Sequence, residues 1–170
     1  MHYLHKILVK LDEYDPEDKE YMIERARNIA EDMTERFGEG DVFDWRETDT
    51  AGRWSAEYPT NVLFAGDDID KFVSEIEECR KLQRDTMDMH LRTMAPYGYD
   101  LQKIVSDAKG SASRPAWDIL EIAKLLYGEY MSDSYFYDSY DCTARITDNT
   151  IADIKNSPER WALVMFDYHN

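Results

Sequence analysis

The sequence is short of the residues that carry catalysis and redox chemistry. Its two cysteines, Cys79 and Cys142, lie far apart and form no Cys-x-x-Cys pair, which argues against a disulfide framework and favours reduced thiols. The seven glycines are scattered and build no phosphate-binding loop, and no Gly-x-Ser-x-Gly nucleophile motif is present. The sequence therefore names no reaction and predicts no cofactor.

Long apolar runs are also missing from the sequence. No stretch approaches the ~20 apolar residues that a membrane span needs. The run Ile7 to Val9 is too short for a signal peptide and is flanked by lysines. We therefore expect a cytoplasmic protein without a membrane partner.

Positive charge is scarce, with 20 lysines and arginines against 36 aspartates and glutamates, which gives a formal net charge of −16. Such a chain repels nucleic acids and anionic membranes and attracts basic surfaces, so we expect no direct nucleic-acid binding. Solubility is the simpler explanation of the acidity. Because 43% of its 170 residues are hydrophobic, the chain is not a disordered acidic tail, and we expect one globular domain over residues 1–170.

Three histidines offer the one spacing that suggests a metal. His2 and His5 are three residues apart, and His169 comes near them if the two ends of the chain pair. A strand places residues three apart on opposite faces, so His2 and His5 would point away from each other. We therefore predict no metal site.

The stretch Tyr3 to Leu11 has the clearest structural pattern, an alternation with a period of two. It predicts a strand with one fully buried face and one partly covered face. The residues of the first face are Tyr3, His5, Ile7, Val9 and Leu11, and those of the second are Leu4, Lys6, Leu8 and Lys10. The apolar run Ala162 to Phe166 predicts a final strand in the same sheet.

Between these two strands, periodicity and turn residues predict the remaining elements. The first half of the chain is predicted to form a helix capped by Asp15 and Pro16 that runs to about Phe37 before Gly38, a hairpin of 42–47 and 53–58, and a strand at 62–65. A long helix follows, opened by Asp67 and Asp68 and continuing to Met94, and then a short helix at 101–108 before Gly110. The remaining elements are a helix from Pro115 to Tyr127 that is the most buried of all, an extended segment at 135–146, and a short helix at 147–155. This order predicts an α+β fold, with helices packed on a mainly antiparallel sheet whose first strand is central.

Acidic residues off the apolar stripe of the second long helix, and acids interleaved with tyrosines between Tyr127 and Asp141, suggest a binding surface. The predicted partner-binding residues are Glu75, Glu78, Asp85, Asp88, Asp133, Tyr135, Tyr137, Asp138, Tyr140 and Asp141. The first helix carries like-charge pairs at Glu20/Glu24 and Glu31/Glu35, which a sequence tuned only for helix stability would avoid.

These patterns favour a non-catalytic binding or inhibitor protein whose carboxylates imitate a phosphate backbone and engage a basic surface, such as that of a nuclease or another nucleic-acid-handling enzyme. Small acidic proteins of phages and mobile elements block restriction or CRISPR nucleases in this general way, and the analogy rests on charge and size alone. Two alternatives stay open: a small enzyme with its site at the edge of the sheet, and a structural or regulatory subunit that forms a homodimer through its tyrosine-rich surface.

Overall fold

The two ends of the chain form the centre of one sheet. The structure, a computed structural model, describes residues 1–37, 42–107 and 114–170. The first strand, β1 (His2–Lys10), pairs antiparallel with the last strand, β5 (Trp161–His169), from His2 opposite His169 to Lys10 opposite Trp161. The prediction that both terminal runs lie in one sheet is confirmed.

Three short strands complete the sheet around this central pair. They are β2 (Trp45–Glu47), β3 (Val62–Phe64) and β4 (Phe136–Asp138). β2 and β3 both pair antiparallel with β5, and β4 pairs parallel with β1, so β1 is an inner strand. The α+β prediction is confirmed, with the refinement that the sheet is mixed rather than purely antiparallel.

Helices cover both faces of the sheet. The α-helices are α1 (Lys19–Glu35), α2 (Ile69–Met94), α3 (Leu101–Asp107), α4 (Arg114–Tyr127) and α5 (Asp148–Asn156). Ile7 and Val9 pack with α1 in one core, and Leu8 packs with α2 in a second core. The second face of β1 is partly covered as predicted at its ends, where Leu4 and Lys10 are half-buried, but α2 buries Lys6 and Leu8 at its centre.

Side-chain caps decide where the two long helices begin. The carboxylate of Asp18 accepts the Tyr21 backbone N–H, so α1 starts at Lys19, three residues later than the predicted start at Pro16. Asp15, the predicted cap, accepts the Glu17 backbone N–H in a turn before the helix. α2 begins after Asp68, which accepts the Lys71 N–H, and it continues to Met94 as predicted. The predicted stops at Gly38 and Gly110 lie outside the described residues.

Two other predictions are wrong. Residues 42–58 form no hairpin, because β2 pairs with β5 and residues Gly52–Trp54 form a 3-10 turn. The segment 135–146 is extended only at β4, after which the chain turns back so that Asp138 bridges Thr143. Within the described ranges, no helix has the length and apolar character to cross a membrane.

Candidate functional site

Two of the predicted acidic residues on α2 converge on a single buried lysine. The Lys6 ammonium donates to Glu75 Oε2 at 2.6 Å and to Glu78 Oε2 at 2.7 Å. The Tyr58 hydroxyl also donates to Glu75 Oε2, at 2.8 Å. The side chain of Lys6 is only 3% exposed, whereas those of Glu75 and Glu78 are 13% and 61% exposed. Glu75 is therefore part of the interior, and Glu78 connects this cluster to the surface.

The lysine of this cluster is held in its charged form. Burial alone would lower the pKa of Lys6, but attraction to the Cys79 sulfur and the hydrogen bonds to Glu75 and Glu78 outweigh it and raise the pKa. Burial raises the pKa of the Cys79 thiol to about 12, so the thiol is uncharged at neutral pH and attracts the ammonium only as a thiolate. At neutral pH the carboxylates of Glu75 and Glu78 therefore hold Lys6 in its charged form. Neither Lys6 nor Cys79 is therefore in the deprotonated form that a nucleophile needs.

A cavity of about 240 Å³ opens beside the cluster, between the start of β1 and the middle of α2. Its lining residues are His2, Tyr3, Leu4, Lys6, Trp54, Glu78, Cys79, Leu82 and Tyr135. On its rim, His2 Nδ1 lies 2.8 Å from Asp167 Oδ1. An imidazole held by a buried carboxylate can serve as a general base. The lysine and the thiol that line the cavity, Lys6 and Cys79, are both held protonated.

The 3-10 turn that carries Trp54 packs directly on Asp167. Gly52 has a φ of +53°, and a Cβ at this position would lie 2.2 Å from Asp167 Oδ2. The next residue, Arg53, donates its backbone N–H to the same oxygen at 3.1 Å. A glycine is therefore needed at residue 52 for the turn to place the indole of Trp54 on the wall of the cavity.

The other two predicted acids of α2, Asp85 and Asp88, are exposed. With Met89, Arg92 and Thr93 they line a shallow depression of about 450 Å³. Neither carboxylate has a basic side chain within 4.0 Å among the described residues. These two residues remain available to a partner.

Burial divides the predicted tyrosine-rich surface. Tyr137 and Asp138 are 2% and 1% exposed, so the structure places both side chains in the interior and not at the surface. Tyr137 accepts a hydrogen bond from Arg36, and Asp138 Oδ1 accepts the backbone N–H groups of Tyr140 and Asp141.

The other four predicted residues of this segment keep some exposure. Asp133 and Tyr135 are partly buried, and burial raises the pKa of both. Tyr140 and Asp141 are exposed, and the ammonium of Lys10 lies 3.8 Å from the Tyr140 ring centroid. The ten predicted residues therefore do not form one continuous binding surface.

A set of four uncompensated acids lies on the outer side of α1. Glu20, Glu24 and Glu35 fall within about 60° of one another around the helix axis, and Asp32 borders them. All four are exposed, and the described part of the chain places no basic side chain within 4.0 Å of their carboxylates. We name Glu20, Glu24, Asp32 and Glu35 the α1 acidic face.

Most basic residues of this region pair with groups outside the α1 acidic face. The exception is Arg46, which lies 3.9 Å from Glu31, a glutamate on the same side of the helix. Lys19 pairs with Asp67 at 2.6 Å. Arg27 donates to Asn61 Oδ1 at 2.6 Å and to the Thr60 carbonyl at 2.7 Å. Arg36 reaches β4, as described above, and Arg25 lies 3.4 Å from Asp12. The like-charge pairs Glu20/Glu24 and Glu31/Glu35 indicated this face in the sequence. The partners of the neighbouring lysines and arginines are visible only in the structure.

The predicted divergence of His2 and His5 is confirmed. His5 is buried, with Nδ1 2.9 Å from the Tyr130 hydroxyl and Nε2 2.9 Å from the Ser132 carbonyl oxygen. His169 does lie beside His2, with ring centroids 4.9 Å apart, but its Nδ1 contacts Asp44 at 2.7 Å. Within the described ranges, no group of three or more His, Cys, Asp or Glu residues is arranged to hold a metal ion.

Comparison with known proteins gives no relative from which a function could be transferred. No protein-family model, no curated protein sequence and no solved structure matches the chain.

Proposed function

We propose that this protein is a non-catalytic acidic binding protein that engages a basic surface of another protein, one that handles nucleic acid. The α1 acidic face is the principal contact, and Asp85 and Asp88 add to it. The observation that carries the proposal is that the neighbouring cations pair elsewhere, while the acids at helical spacing stay exposed and uncompensated. Exposed like charges destabilise a helix, so solubility alone does not account for their grouping on one side.

The dimensions of the face suit a surface that binds a phosphate backbone. From Glu20 to Glu35 the helix rises about 22 Å, at 1.5 Å per residue. Phosphates follow one another at about 3.4 Å along the axis of a nucleic-acid strand, so this length corresponds to roughly six nucleotides. Carboxylates three or four residues apart lie about 5–6 Å from each other, which lets several of them contact neighbouring basic side chains.

The test compares two variants with the same change in net charge. One carries Glu20→Gln, Glu24→Gln, Asp32→Asn and Glu35→Gln. The matched control carries four exchanges at exposed acids elsewhere, Glu57→Gln, Glu129→Gln, Asp153→Asn and Glu159→Gln. The partner is captured from a lysate at low salt, purified, and its association with each variant is measured by surface plasmon resonance.

We expect the exchanges in the α1 acidic face to weaken binding at least tenfold, mainly through slower association, because these charges steer the encounter. The control variant should lose no more than about threefold, and the affinity of the parent should fall steeply as salt rises. Equal affinity of both variants would show that the acidity serves solubility and would overturn the proposal.

A further inference from the structure

The cavity beside Lys6 contains a carboxylate with unused binding capacity. Glu75 and Glu78 share the single ammonium of Lys6, so the cluster carries one excess negative charge. Glu75 also accepts from Tyr58, but within the described part of the chain Glu78 accepts only from Lys6, through Oε2. A carboxylate offers about four acceptor positions, so Oε1 of Glu78 is free to bind a second cation at the mouth of the cavity.

The walls of the cavity suit a cation with a flat head and an aliphatic stem. The rings of Tyr3, Trp54 and Tyr135 line it, and aromatic faces attract cations. Leu4 and Leu82 add the apolar surface that a hydrocarbon stem would cover. A guanidinium group fits this combination better than an ammonium, because it stacks on aromatic rings and pairs with both oxygens of a carboxylate.

The charges around the cavity favour a cation over an anion. The carboxylate of Asp167 lies behind the His2 ring, 2.8 Å from Nδ1, and adds to those of Glu75 and Glu78. Lys6 is the one lysine or arginine among the described residues that line the cavity, and Glu75 and Glu78 share its charge.

We propose that this cavity binds the guanidinium group of an arginine side chain that the protein partner presents. The source of the arginine rests on the proposed function, since a basic surface that handles nucleic acid is rich in arginine. The affinity of the cavity for a guanidinium group does not depend on the proposed function. Glu78 pairs with the guanidinium, Trp54 stacks on it, and the aliphatic stem lies against Leu4 and Leu82.

The probe is N-acetyl-arginine methylamide, titrated into the protein and followed by the NMR signal of the Trp54 indole N–H and by calorimetry. We expect a dissociation constant on the order of 1 mM, the affinity of a small fragment. The citrulline analogue, which keeps the shape and lacks the charge, should bind at least tenfold more weakly. Binding of both analogues with equal affinity would overturn the proposal.

Two variants locate the site. Glu78→Gln should weaken the arginine probe at least tenfold, whereas the matched control Glu77→Gln should leave it unchanged. Glu77 is one residue away on α2 and pairs with Arg80 instead of Lys6. Trp54→Leu keeps apolar packing but removes the aromatic face, and it should also weaken binding. Unchanged affinity in both Glu78→Gln and Trp54→Leu would show that the cavity is not the site.

A third arm separates a side chain of a partner from a free small cation. Butylguanidine, which carries the same single guanidinium charge without the peptide groups, should bind about as well as the capped arginine. Butylguanidine binding a hundredfold more tightly would overturn the assignment to a partner's arginine. The two proposals fail separately: unchanged partner binding by the α1 variant contradicts the proposed function, and loss of discrimination between arginine and citrulline contradicts only the cavity site.

Discussion

The ammonium of Lys6 lies 2.6 Å from Glu75 Oε2, in the layer between the sheet and α2. The two residues are 69 positions apart in the sequence and join the first strand to the second turn of α2. A buried ion pair of this kind is costly to disrupt on one side, because the remaining charge has neither water nor a partner.

Lys6→Met should therefore lower the free energy of unfolding by about 3 kcal/mol. The loss lies at the lower end of the range for buried pairs, because Glu75 keeps its hydrogen bond from Tyr58 and Glu78 is largely exposed. Urea unfolding followed by circular dichroism measures the change. The matched control is Lys10→Met on the same face of β1, which should cost about 1 kcal/mol or less, since Lys10 only lies over Tyr140 and Trp161.

Adding Glu75→Gln and Glu78→Gln to Lys6→Met should restore most of the lost stability, because no buried charge then remains. A triple variant no more stable than Lys6→Met would show that packing of the lysine stem, rather than its charge, holds α2 on the sheet.

The position of Lys6 also shows how far the sequence could predict the fold. The alternation along β1 correctly assigned odd and even residues to opposite faces, and the apolar run near the end of the chain correctly indicated the paired strand. A lysine at an even position reads as solvent-facing in a local pattern. Its burial depends on carboxylates 69 and 72 residues away, which no local pattern contains.

The helix α4 was mispredicted for a related reason. Its many apolar residues suggested burial on most sides, yet Leu120, Leu126 and Tyr127 are exposed. The polar Asp118 is buried instead, with Oδ1 2.8 Å from Nδ1 of the buried His90 on α2. Counting apolar residues fails where polar side chains from two helices pair with each other inside the protein.

Two buried groups make opposite contributions to the pH dependence of stability. Burial lowers the pKa of His5 from 6.5 to about 4. Between these values the unfolded chain takes up a proton that the folded protein does not, so acidification lowers the free energy of unfolding. Burial raises the pKa of Asp138 from 3.8 to about 6. Between these values the folded protein takes up the proton first, so acidification raises the free energy of unfolding.

Asp138→Asn should unmask the contribution of His5. The amide keeps the oxygen that accepts the Tyr140 and Asp141 N–H groups but does not titrate. Between pH 6 and pH 4 the variant should lose about 2 kcal/mol more stability than the parent, as measured by urea unfolding at each pH. Over the same pH interval His5→Gln should lose less stability than the parent, because only the contribution of Asp138 remains. Parallel curves for the parent and Asp138→Asn would show that Asp138 does not carry the raised pKa.

The four acids predicted on α2 should separate into two pairs when their stability is measured. All four acids lie off the apolar stripe of the helix in the sequence pattern, where an amide exchange ordinarily changes stability little. The structure instead predicts that Glu75→Gln with Glu78→Gln costs about 3 kcal/mol, because the buried Lys6 ammonium loses both carboxylates. Asp85→Asn with Asp88→Asn, both exposed, should change the free energy of unfolding by less than about 0.5 kcal/mol. Similar losses in the two double variants would contradict the internal role of Glu75 and Glu78.

The α1 acidic face should lower stability while it supports binding, and the two effects can be measured in the same variant. Glu20→Gln relieves its repulsion with Glu24 at i, i+4, and Glu35→Gln does the same for Glu31 and Glu35, each by about 0.2–0.5 kcal/mol. The effects of these two exchanges on the helix dipole offset each other, because Glu20 lies in the first turn of α1 and Glu35 in the last. The variant should therefore melt at a higher temperature than the parent at low salt, and the difference should shrink in 0.5 M salt because exposed charges are screened.

Glu77→Gln is the control, since Glu77 pairs with Arg80 and its exchange should give no gain in melting temperature. The gain in stability is expected whatever the face is for, so only an accompanying loss of partner affinity distinguishes a binding face from one that serves solubility alone. A variant that melts below the parent would show that these carboxylates have stabilising partners within the protein, and the face would then not be free to bind.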